Sequence, residues 1–306
     1  MSGAWATPCR SIGPILPDLA LQLGLKEDVL VTAGIHDSNA SLLPYLASKA
    51  AGDFILNSTG TWCVLMHPDP GTQAAAYRAD DIGKVVFFNR SALDRPVKTA
   101  IFLGGMENDA YVKLWQEAGG KEGYPESDME TLRQLLTERN AFLLPELVSG
   151  SGQFPRSRPG IYEDGIFYSM EDMQKGKKLP RLLSDSRRFQ AALVLSLVIQ
   201  TETALLRAGL QPGTAVFTEG GFRKNSLYNR LLASILPEND FYLTDISEAT
   251  AAGAALCGLM SLTGRPLEDF GSYVAIKRTK IEPEQVSGYR EYKEAWLQKA
   301  ANAKEQ

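Results

Sequence analysis

One segment, residues 215–259, constrains the fold of this chain more than any other. It begins with the apolar run Ala-Val-Phe-Thr, breaks at Glu219, Gly220 and Gly221, and continues into a helical pattern that starts at Asn225. The run predicts a buried strand, and paired glycines allow positive φ and close approach of a ligand. The amide of Asn225 can donate and accept hydrogen bonds, as a purine edge or a ribose requires. The segment predicts an α/β nucleotide-binding unit, and an ordinary topological turn is the alternative that these residues leave open.

A helix rich in small residues is predicted next, opening near Ser247. Residues 248–255 read Glu-Ala-Thr-Ala-Ala-Gly-Ala-Ala. Small side chains let such a helix lie close against a neighbour, and the positive end of its dipole would point at the same crevice.

A tight hairpin is predicted around Thr59, Gly60 and Thr61. The apolar runs on either side, residues 54–57 and 62–66, have the character of β-strands. A glycine-containing turn exposes successive backbone N–H groups and adds hydroxyls, which together suit phosphate oxygens. Because such turns also occur for purely conformational reasons, the hairpin favours phosphate binding only in combination with other motifs.

Gly104 and Gly105 open another predicted helix. Glycines before a helix N-terminus favour the approach of an anion, although they serve equally often as packing or turn residues. Further along, a long apolar helix is predicted to end at Gly209, residues 149–160 form a turn-rich ordered loop, and a charged amphipathic helix starts at Tyr289.

A candidate catalytic carboxylate, Asp37, follows the strand predicted at residues 29–32. A carboxylate at the end of a strand can accept the proton of a hydroxyl group, an effect worth about 10² to 10⁴ in rate. The alternative is an aspartate that caps a turn. His36 beside it would orient a substrate or Asp37, or would serve as a hydrogen-bonded structural residue.

Composition excludes several classes of partner. Lys+Arg 32 against Asp+Glu 36 gives 32 − 36 = −4 without a basic tract, so we expect neither nucleic acid nor an anionic membrane. The longest apolar run, residues 191–199, suits a core helix rather than a membrane span. Cys9, Cys63 and Cys257 are far apart in sequence, which argues against a disulfide framework or a zinc site and favours the cytoplasm.

The order of these motifs resembles the FGGY family of carbohydrate kinases. The resemblance runs from residue 28 to 262 and rests on six segments: Gly34-Ile-His-Asp37, Ser58-Thr-Gly-Thr-Trp62, Phe102-Leu-Gly-Gly105, the loop from Leu144 to Gly160, Glu219-Gly-Gly-Phe-Arg-Lys-Asn225 and Glu248-Ala-Thr-Ala-Ala-Gly-Ala-Ala255. His36 beside Asp37 and Trp62 after the hairpin are most similar to the rhamnulokinase and fuculokinase side of the family.

The resemblance implies an RNase H-like α/β domain of the actin-like ATPase fold, with a mixed sheet flanked by helices. It also implies phosphoryl transfer from ATP, with Mg²⁺, to a hydroxyl of a ketose such as a deoxyhexulose or pentulose. Asp37 would be the base and would bind the sugar with His36. The nucleotide would be bound by Thr59, Gly60, Thr61, Gly104, Gly105, Gly220, Gly221 and Asn225. No dedicated metal ligands are assigned, because Mg²⁺ normally keeps several waters.

One departure from the family affects the predicted domain organisation. Kinases of this family begin with a sugar-binding domain that carries an Asp-x-Gly-Thr hairpin, and nothing before Gly34 resembles it. We therefore expect residues 1–36 to be the end of that first domain and residues 37–306 to be the C-terminal nucleotide-binding domain. The missing domain, in cis or in trans, is an expected partner, and the apolar face left without it favours a homo-oligomer. A non-catalytic nucleotide-binding or interaction module is the alternative.

Overall fold

A seven-stranded mixed sheet forms the centre of the computed structural model, which describes residues 9–48, 52–119, 122–246, 248–274 and 276–302. The strands are β1 (Ser11–Pro14), β2 (Leu30–Thr32), β3 (Phe54–Thr59), β4 (Cys63–Pro68), β5 (Val86–Arg90), β6 (Pro96–Phe102), β7 (Ala141–Leu144), β8 (Gly160–Glu163), β9 (Ile166–Ser169), β10 (Ala215–Gly220), β11 (Phe241–Thr244) and β12 (Arg278–Lys280). The helices are α1 (Pro17–Leu23), α2 (Asp37–Ala47), α3 (Thr72–Ala75), α4 (Gly104–Gly119), α5 (Met129–Glu138), α6 (Met170–Gln174), α7 (Ser186–Ala208), α8 (Ser226–Ile235), α9 (Ala249–Thr263) and α10 (Tyr289–Asn302).

The main sheet has the strand order β12-β11-β10-β3-β4-β6-β5. Strand β10 runs parallel to both β3 and β11, whereas β3, β4, β6 and β5 pair antiparallel. Two smaller antiparallel sheets, β1-β2 and β7-β8-β9, complete the strands. The predicted α/β fold with a mixed sheet flanked by helices is confirmed.

Helix α7 forms the core on one side of the sheet. It is the one described helix that is long and apolar enough to cross a membrane, but 83% of its most apolar window is buried inside the fold. Asp185 caps its N-terminus and Gly209, at φ 98°, ends it, which confirms the predicted stop. The helix therefore packs as the core helix that the sequence predicted.

The predicted close packing of the small-residue helix is also confirmed. A Cβ at Gly253 of α9 would lie 1.8 Å from the carbonyl oxygen of Ala40 in α2, so only glycine allows this approach. Helix α9 begins at Ala249; Ser247, near which its start was predicted, lies outside the described residues.

The cysteine prediction is wrong in one respect, because Cys9 and Cys257 form a disulfide. The two residues are separated by 248 positions, and only the packing of the segment before β1 against α9 brings them together. Sequence spacing carries no signal for such a bridge. Cysteine usage therefore no longer favours a reducing compartment. Cys63 is free and buried.

Candidate functional site

A cavity of about 680 Å³ opens where the β3-β4 hairpin meets the first turns of α4 and α8. It is lined by Thr59, Gly60, Thr61, Gly105, Asn108, Asp109, Tyr124, Pro125, Glu126, Ser127, Gln190, Gly221, Phe222, Lys224, Asn225, Ser226 and Leu227. Its volume falls in the range of about 300–1,000 Å³ that is usual for small-molecule sites. Five separate segments of the chain thus meet at one ligand-sized space.

Six of the predicted site residues line this cavity, and four do not. Those that line it are Thr59, Gly60, Thr61, Gly105, Gly221 and Asn225. Those that lie outside it are His36, Asp37, Gly104 and Gly220.

Thr59 fixes the hairpin rather than offering its hydroxyl to a ligand. Its Oγ1 accepts a hydrogen bond from Phe222 N at 3.0 Å and donates one to the carbonyl oxygen of Glu219. The side chain is buried, and the two bonds tie the hairpin to the end of β10 and to the turn that follows it. This corrects the prediction that the Thr59 hydroxyl contacts phosphate. Gly60 and Thr61 at the exposed tip also line the cavity, but Gly60 N already donates to Trp62 O at 2.9 Å, so Thr61 is the hairpin residue that can offer a donor to a ligand.

Two glycines let neighbouring segments close on this hairpin. A Cβ at Gly105 would lie 2.0 Å from the carbonyl oxygen of Gly60, and one at Gly220 would lie 2.0 Å from that of Thr59. Gly220 also has φ 81°, in the left-handed region that favours glycine. Both glycines are therefore required by the close approach of backbone to backbone.

The N-terminus of α4 does not form the open anion site that Gly104 and Gly105 predicted. The N–H groups of both glycines donate to the buried thiol of Cys63, and Met106 N donates to Thr61 O at 3.2 Å. Gly104 is packed beneath the hairpin, where a Cβ would lie 2.5 Å from Cys63 Sγ. Its role here is packing, because its N–H group already has an acceptor.

Asn225 caps α8 with the oxygen of its side chain. Its Oδ1 accepts a hydrogen bond from Tyr228 N at 3.1 Å, in the usual manner of an N-cap asparagine. One lone pair of the amide oxygen is therefore used inside the fold, and the predicted contact of Asn225 with a nucleoside stays a prediction. The Nδ2 group remains as the donor that Asn225 can present to the cavity.

Asp37 is the first residue of α2 and does not sit at the end of a strand, because β2 ends at Thr32. Its Oδ1 accepts a hydrogen bond from Ser38 N at 2.6 Å and lies 2.9 Å from Nδ1 of His36, which is the N-cap residue. The side chains of His36 and Asp37 are 69% and 74% exposed. Both can meet a partner or substrate from outside this domain, but neither reaches the cavity.

Sequence analysis missed four polar residues that also line the cavity, Asn108, Asp109, Tyr124 and Gln190. Asn108 and Asp109 lie about one turn beyond Gly105 on α4. Gln190 carried the one available signal, since it is a polar side chain within the apolar core helix α7, where it is buried. Lys224 lines the cavity and adds a cation next to Asn225.

Below the cavity, Glu107 holds three elements together. Its Oε1 accepts a hydrogen bond from Glu146 N at 2.7 Å, and its Oε2 accepts one from Gln200 Nε2 at 2.9 Å. The carboxyl group is fully buried, and this burial raises the pKa of Glu107 to about 7. It therefore changes its ionisation near neutral pH while it positions the first turn of α4.

This pKa predicts a pH dependence of stability. The folded pKa lies above the usual 4.5, so the folded chain holds the proton more tightly and the free energy of unfolding falls as the pH rises from about 4.5 to about 7. The loss is on the order of 3 kcal/mol. Glu107→Gln should remove this loss, because glutamine stays neutral.

Urea unfolding at pH 5 and pH 8 measures this difference. The exposed Glu117→Gln on the same helix is the control and should keep the wild-type pH dependence. An unchanged pH dependence in Glu107→Gln would contradict the assignment.

Metal binding by the protein itself has no support in the described residues. Across the described ranges, no group of three or more His, Cys, Asp or Glu side chains could hold a metal ion. The acids that line the cavity are Asp109 and Glu126, one on α4 and one between α4 and α5. We therefore assign no protein ligand for Mg²⁺.

Fold and cavity define a class of α/β domain in which a mixed sheet presents glycine-containing turns to a ligand-sized space. The chain belongs to the FGGY carbohydrate kinases: the model of "Carbohydrate kinase FGGY, C-terminal domain" matches residues 51–266. A comparison with curated protein sequences gave no match.

Solved structures extend the likeness over nearly the whole chain. A carbohydrate kinase from Novosphingobium aromaticivorans is 25% identical with a TM-score of 0.67, and the match covers 95% of this chain and 57% of that kinase. A ligand-bound xylulose kinase from Lactobacillus acidophilus is 16% identical with a TM-score of 0.65, and the match covers 98% of this chain and 56% of that kinase. Plasmodium falciparum glycerol kinase with ADP is 14% identical with a TM-score of 0.59, and the match covers 97% of this chain and 55% of that kinase. At these two lower identities the likeness shows the fold alone. The chain spans a little over half the length of these structures.

Proposed function

We propose that this chain is the nucleotide-binding half of an ATP-dependent sugar kinase. The observation that carries the proposal is the cavity, in which the hairpin tip, Gly105, Gly221 and Asn225 meet although they are far apart in sequence. Membership of the FGGY family supports the same function. The acceptor would be a hydroxyl of a ketose, such as a deoxyhexulose or a pentulose. We propose that the chain is most similar to the rhamnulokinases and fuculokinases within the family, and this part of the proposal rests on His36 and Trp62 alone.

In the proposed reaction, the γ-phosphoryl group of ATP moves to the sugar hydroxyl. The bond between the sugar oxygen and the γ-phosphorus forms as the bond to the β-phosphate oxygen breaks, and the hydroxyl proton passes to the carboxylate of Asp37. Thr61 would contact the phosphates, Gly60 would let them approach the hairpin tip because it has no side chain, and Asn225 Nδ2 would contact the nucleoside. Mg²⁺, arriving with the nucleotide, would neutralise phosphate charge.

The sugar-binding half of such a kinase would complete the site. Asp37 is exposed and lies outside the cavity, so in this proposal residues from another domain would hold the sugar. An apolar surface formed by β1, α1 and β2 supports this, with Ile12, Leu16 and Leu21 68%, 71% and 84% exposed. We propose that residues 1–36 belong to the end of that first domain, that it joins this chain in cis or in trans, and that the enzyme works in the cytoplasm. A second copy of the chain is the competing occupant of this surface.

A non-catalytic nucleotide-binding or interaction module is the second candidate. The exposure of Asp37, away from the cavity, favours it for the chain by itself. Supplying a sugar-binding half distinguishes the two candidates, since only the kinase would then transfer phosphate.

Calorimetric titration with Mg-ADP tests the nucleotide site. Wild-type chain should bind ADP, and Asn225→Ala should weaken binding by about 1–3 kcal/mol through loss of the Nδ2 donor. The same variant should lose about 1 kcal/mol of stability, because alanine cannot cap α8.

Asn225→Ser separates these two effects. Serine keeps the cap but has no amide donor, so ADP affinity should fall as in Asn225→Ala while the stability stays near wild type. Full ADP affinity in Asn225→Ser would limit Asn225 to capping.

A further inference from the structure

The Cys9–Cys257 disulfide joins the segment before β1 to helix α9. Cys9 leads directly into β1, α1 and β2, which we call the N-terminal unit (residues 10–33). The two strands of this unit pair antiparallel, and Ala33 N donates a hydrogen bond to Arg10 O, so the unit closes on itself. The bridge therefore fastens a small, self-paired unit to the body of the domain.

The N-terminal unit buries very little of its own surface. Of residues 10–33, all of which the structure describes, only Ile15 and Ala20 are buried, and Leu21 on α1 is 84% exposed. A segment with few buried apolar side chains opens at low cost in free energy. Two short strands and a seven-residue helix are also too small to stay folded alone. The covalent bridge is therefore a major part of what holds this unit in place.

The backbone at Cys9 favours movement once the bridge is cut. Cys9 has φ 62°, in the left-handed region that residues other than glycine rarely adopt. Such a conformation costs free energy and persists only where the surrounding structure holds it. Here the bridge and a small apolar cluster with Leu43 and Phe270 hold it. Cutting the bridge removes the covalent part of that support.

The bridge lies near the surface, on the side of the N-terminal unit. Cys9 keeps 9% of its surface exposed and is followed by the exposed Arg10, whereas Cys257 is 2% exposed. Local opening of the weakly packed N-terminal unit would expose the sulfur atoms further. A small reductant can therefore reach this bond without global unfolding of the domain.

We propose that the Cys9–Cys257 bridge is a redox-operated latch, which a dithiol opens and a small disulfide closes. In the opening step, a thiolate of the dithiol attacks one cysteine sulfur, the bond between the two cysteines breaks, and the other cysteine leaves as a thiolate. The second thiol of the dithiol then attacks the mixed disulfide. The dithiol ends as a disulfide and both cysteines end as thiols, so two electrons and two protons have passed to the protein. Closing is the reverse exchange.

The latch acts on elements that adjoin the proposed base. Helix α9, which carries Cys257, packs against α2 at Gly253 and Ala40, and α2 begins at Asp37. A closed latch fixes the N-terminal unit relative to this helix pair, and an open latch lets the unit move. Because that unit is proposed to end the first domain, the latch would limit how the two halves of the kinase move against each other. This role in the kinase rests on the proposed function, whereas release of the unit does not.

Hydrogen exchange of the full chain, followed by mass spectrometry with and without dithiothreitol, tests the latch. Peptides within residues 10–33 should exchange at least about 10-fold faster after reduction, whereas peptides of the core helix α7 should keep their rates. Alkylation in denaturant should find one free thiol before reduction and three after it, because Cys63 is free in both states.

Cys9→Ala separates the bridge from other effects of the reductant. This variant cannot form the bridge, so residues 10–33 should exchange fast with or without dithiothreitol. Cys63→Ala is the matched control, because it removes the free cysteine, and it should keep the full response to dithiothreitol.

Equal exchange rates of residues 10–33 in the oxidised and reduced chain would overturn the latch. A bridge that dithiothreitol opens only when α7 also exchanges would overturn it too, since such a bridge is a permanent staple. Three free thiols after treatment with glutathione disulfide would overturn the bridge itself. None of these results depends on nucleotide binding, so a failure of the proposed function would appear separately, in the ADP titration.

Discussion

Gly105→Ala should reduce ADP affinity by about 10- to 100-fold, although alanine is the better helix former. In an exposed helix the change would stabilise by about 1 kcal/mol. Here the new Cβ would lie 2.0 Å from Gly60 O and 2.8 Å from Gly60 C, so the hairpin or α4 must move. Such overpacking typically costs about 1–3 kcal/mol of stability. Because the hairpin tip lines the cavity, the same movement displaces Thr61 from its place beside the ligand.

Calorimetric titration with ADP and thermal unfolding together measure these two effects. Gly258→Ala in α9 is the control, since a Cβ there would meet nothing within 4 Å. It should keep ADP affinity and hold or raise the unfolding midpoint. Wild-type ADP affinity in Gly105→Ala would show that the hairpin and α4 can separate at no cost to the site.

Features that depend on short stretches of sequence were predictable. The β3-β4 hairpin follows from two apolar runs around a glycine turn, and α8 follows from a capping asparagine before a helical pattern. The sheet β7-β8-β9 was missed because its strands are four residues each and carry weak patterns. Local sequence preferences determine the β3-β4 hairpin and α8, whereas tertiary packing determines the sheet β7-β8-β9.

Features of the site that depend on distant contacts were not predictable. Gly104 was assigned to phosphate because glycine before a helix suits an anion, but the thiol of Cys63, 41 positions earlier, takes its N–H group. Asp109 on α4 and Gln190 on α7 line the same cavity, although they are 81 positions apart and only the folded packing brings them together. Sequence motifs thus identified the hairpin, Gly105, Gly221 and Asn225 as cavity residues, whereas Asn108, Asp109, Tyr124 and Gln190 could be identified only from the structure.

Asp37→Asn should lower the rate of phosphoryl transfer by about 10² to 10⁴ in an enzyme that joins this chain to a sugar-binding half. Asparagine has nearly the same shape, and its oxygen can keep the hydrogen bond that Asp37 Oδ1 accepts from Ser38 N at 2.6 Å. The start of α2 should therefore be preserved while the base is lost.

ADP affinity should stay within about twofold of wild type in this variant, because the Asp37 side chain lies outside the cavity. A coupled assay of ADP release gives the rate, and calorimetry gives the affinity. Glu130→Gln, at an exposed acidic residue in the first turn of α5, is the control and should retain full activity. Full activity in Asp37→Asn would remove Asp37 as the base, whereas a loss of ADP binding would place it in the nucleotide site instead.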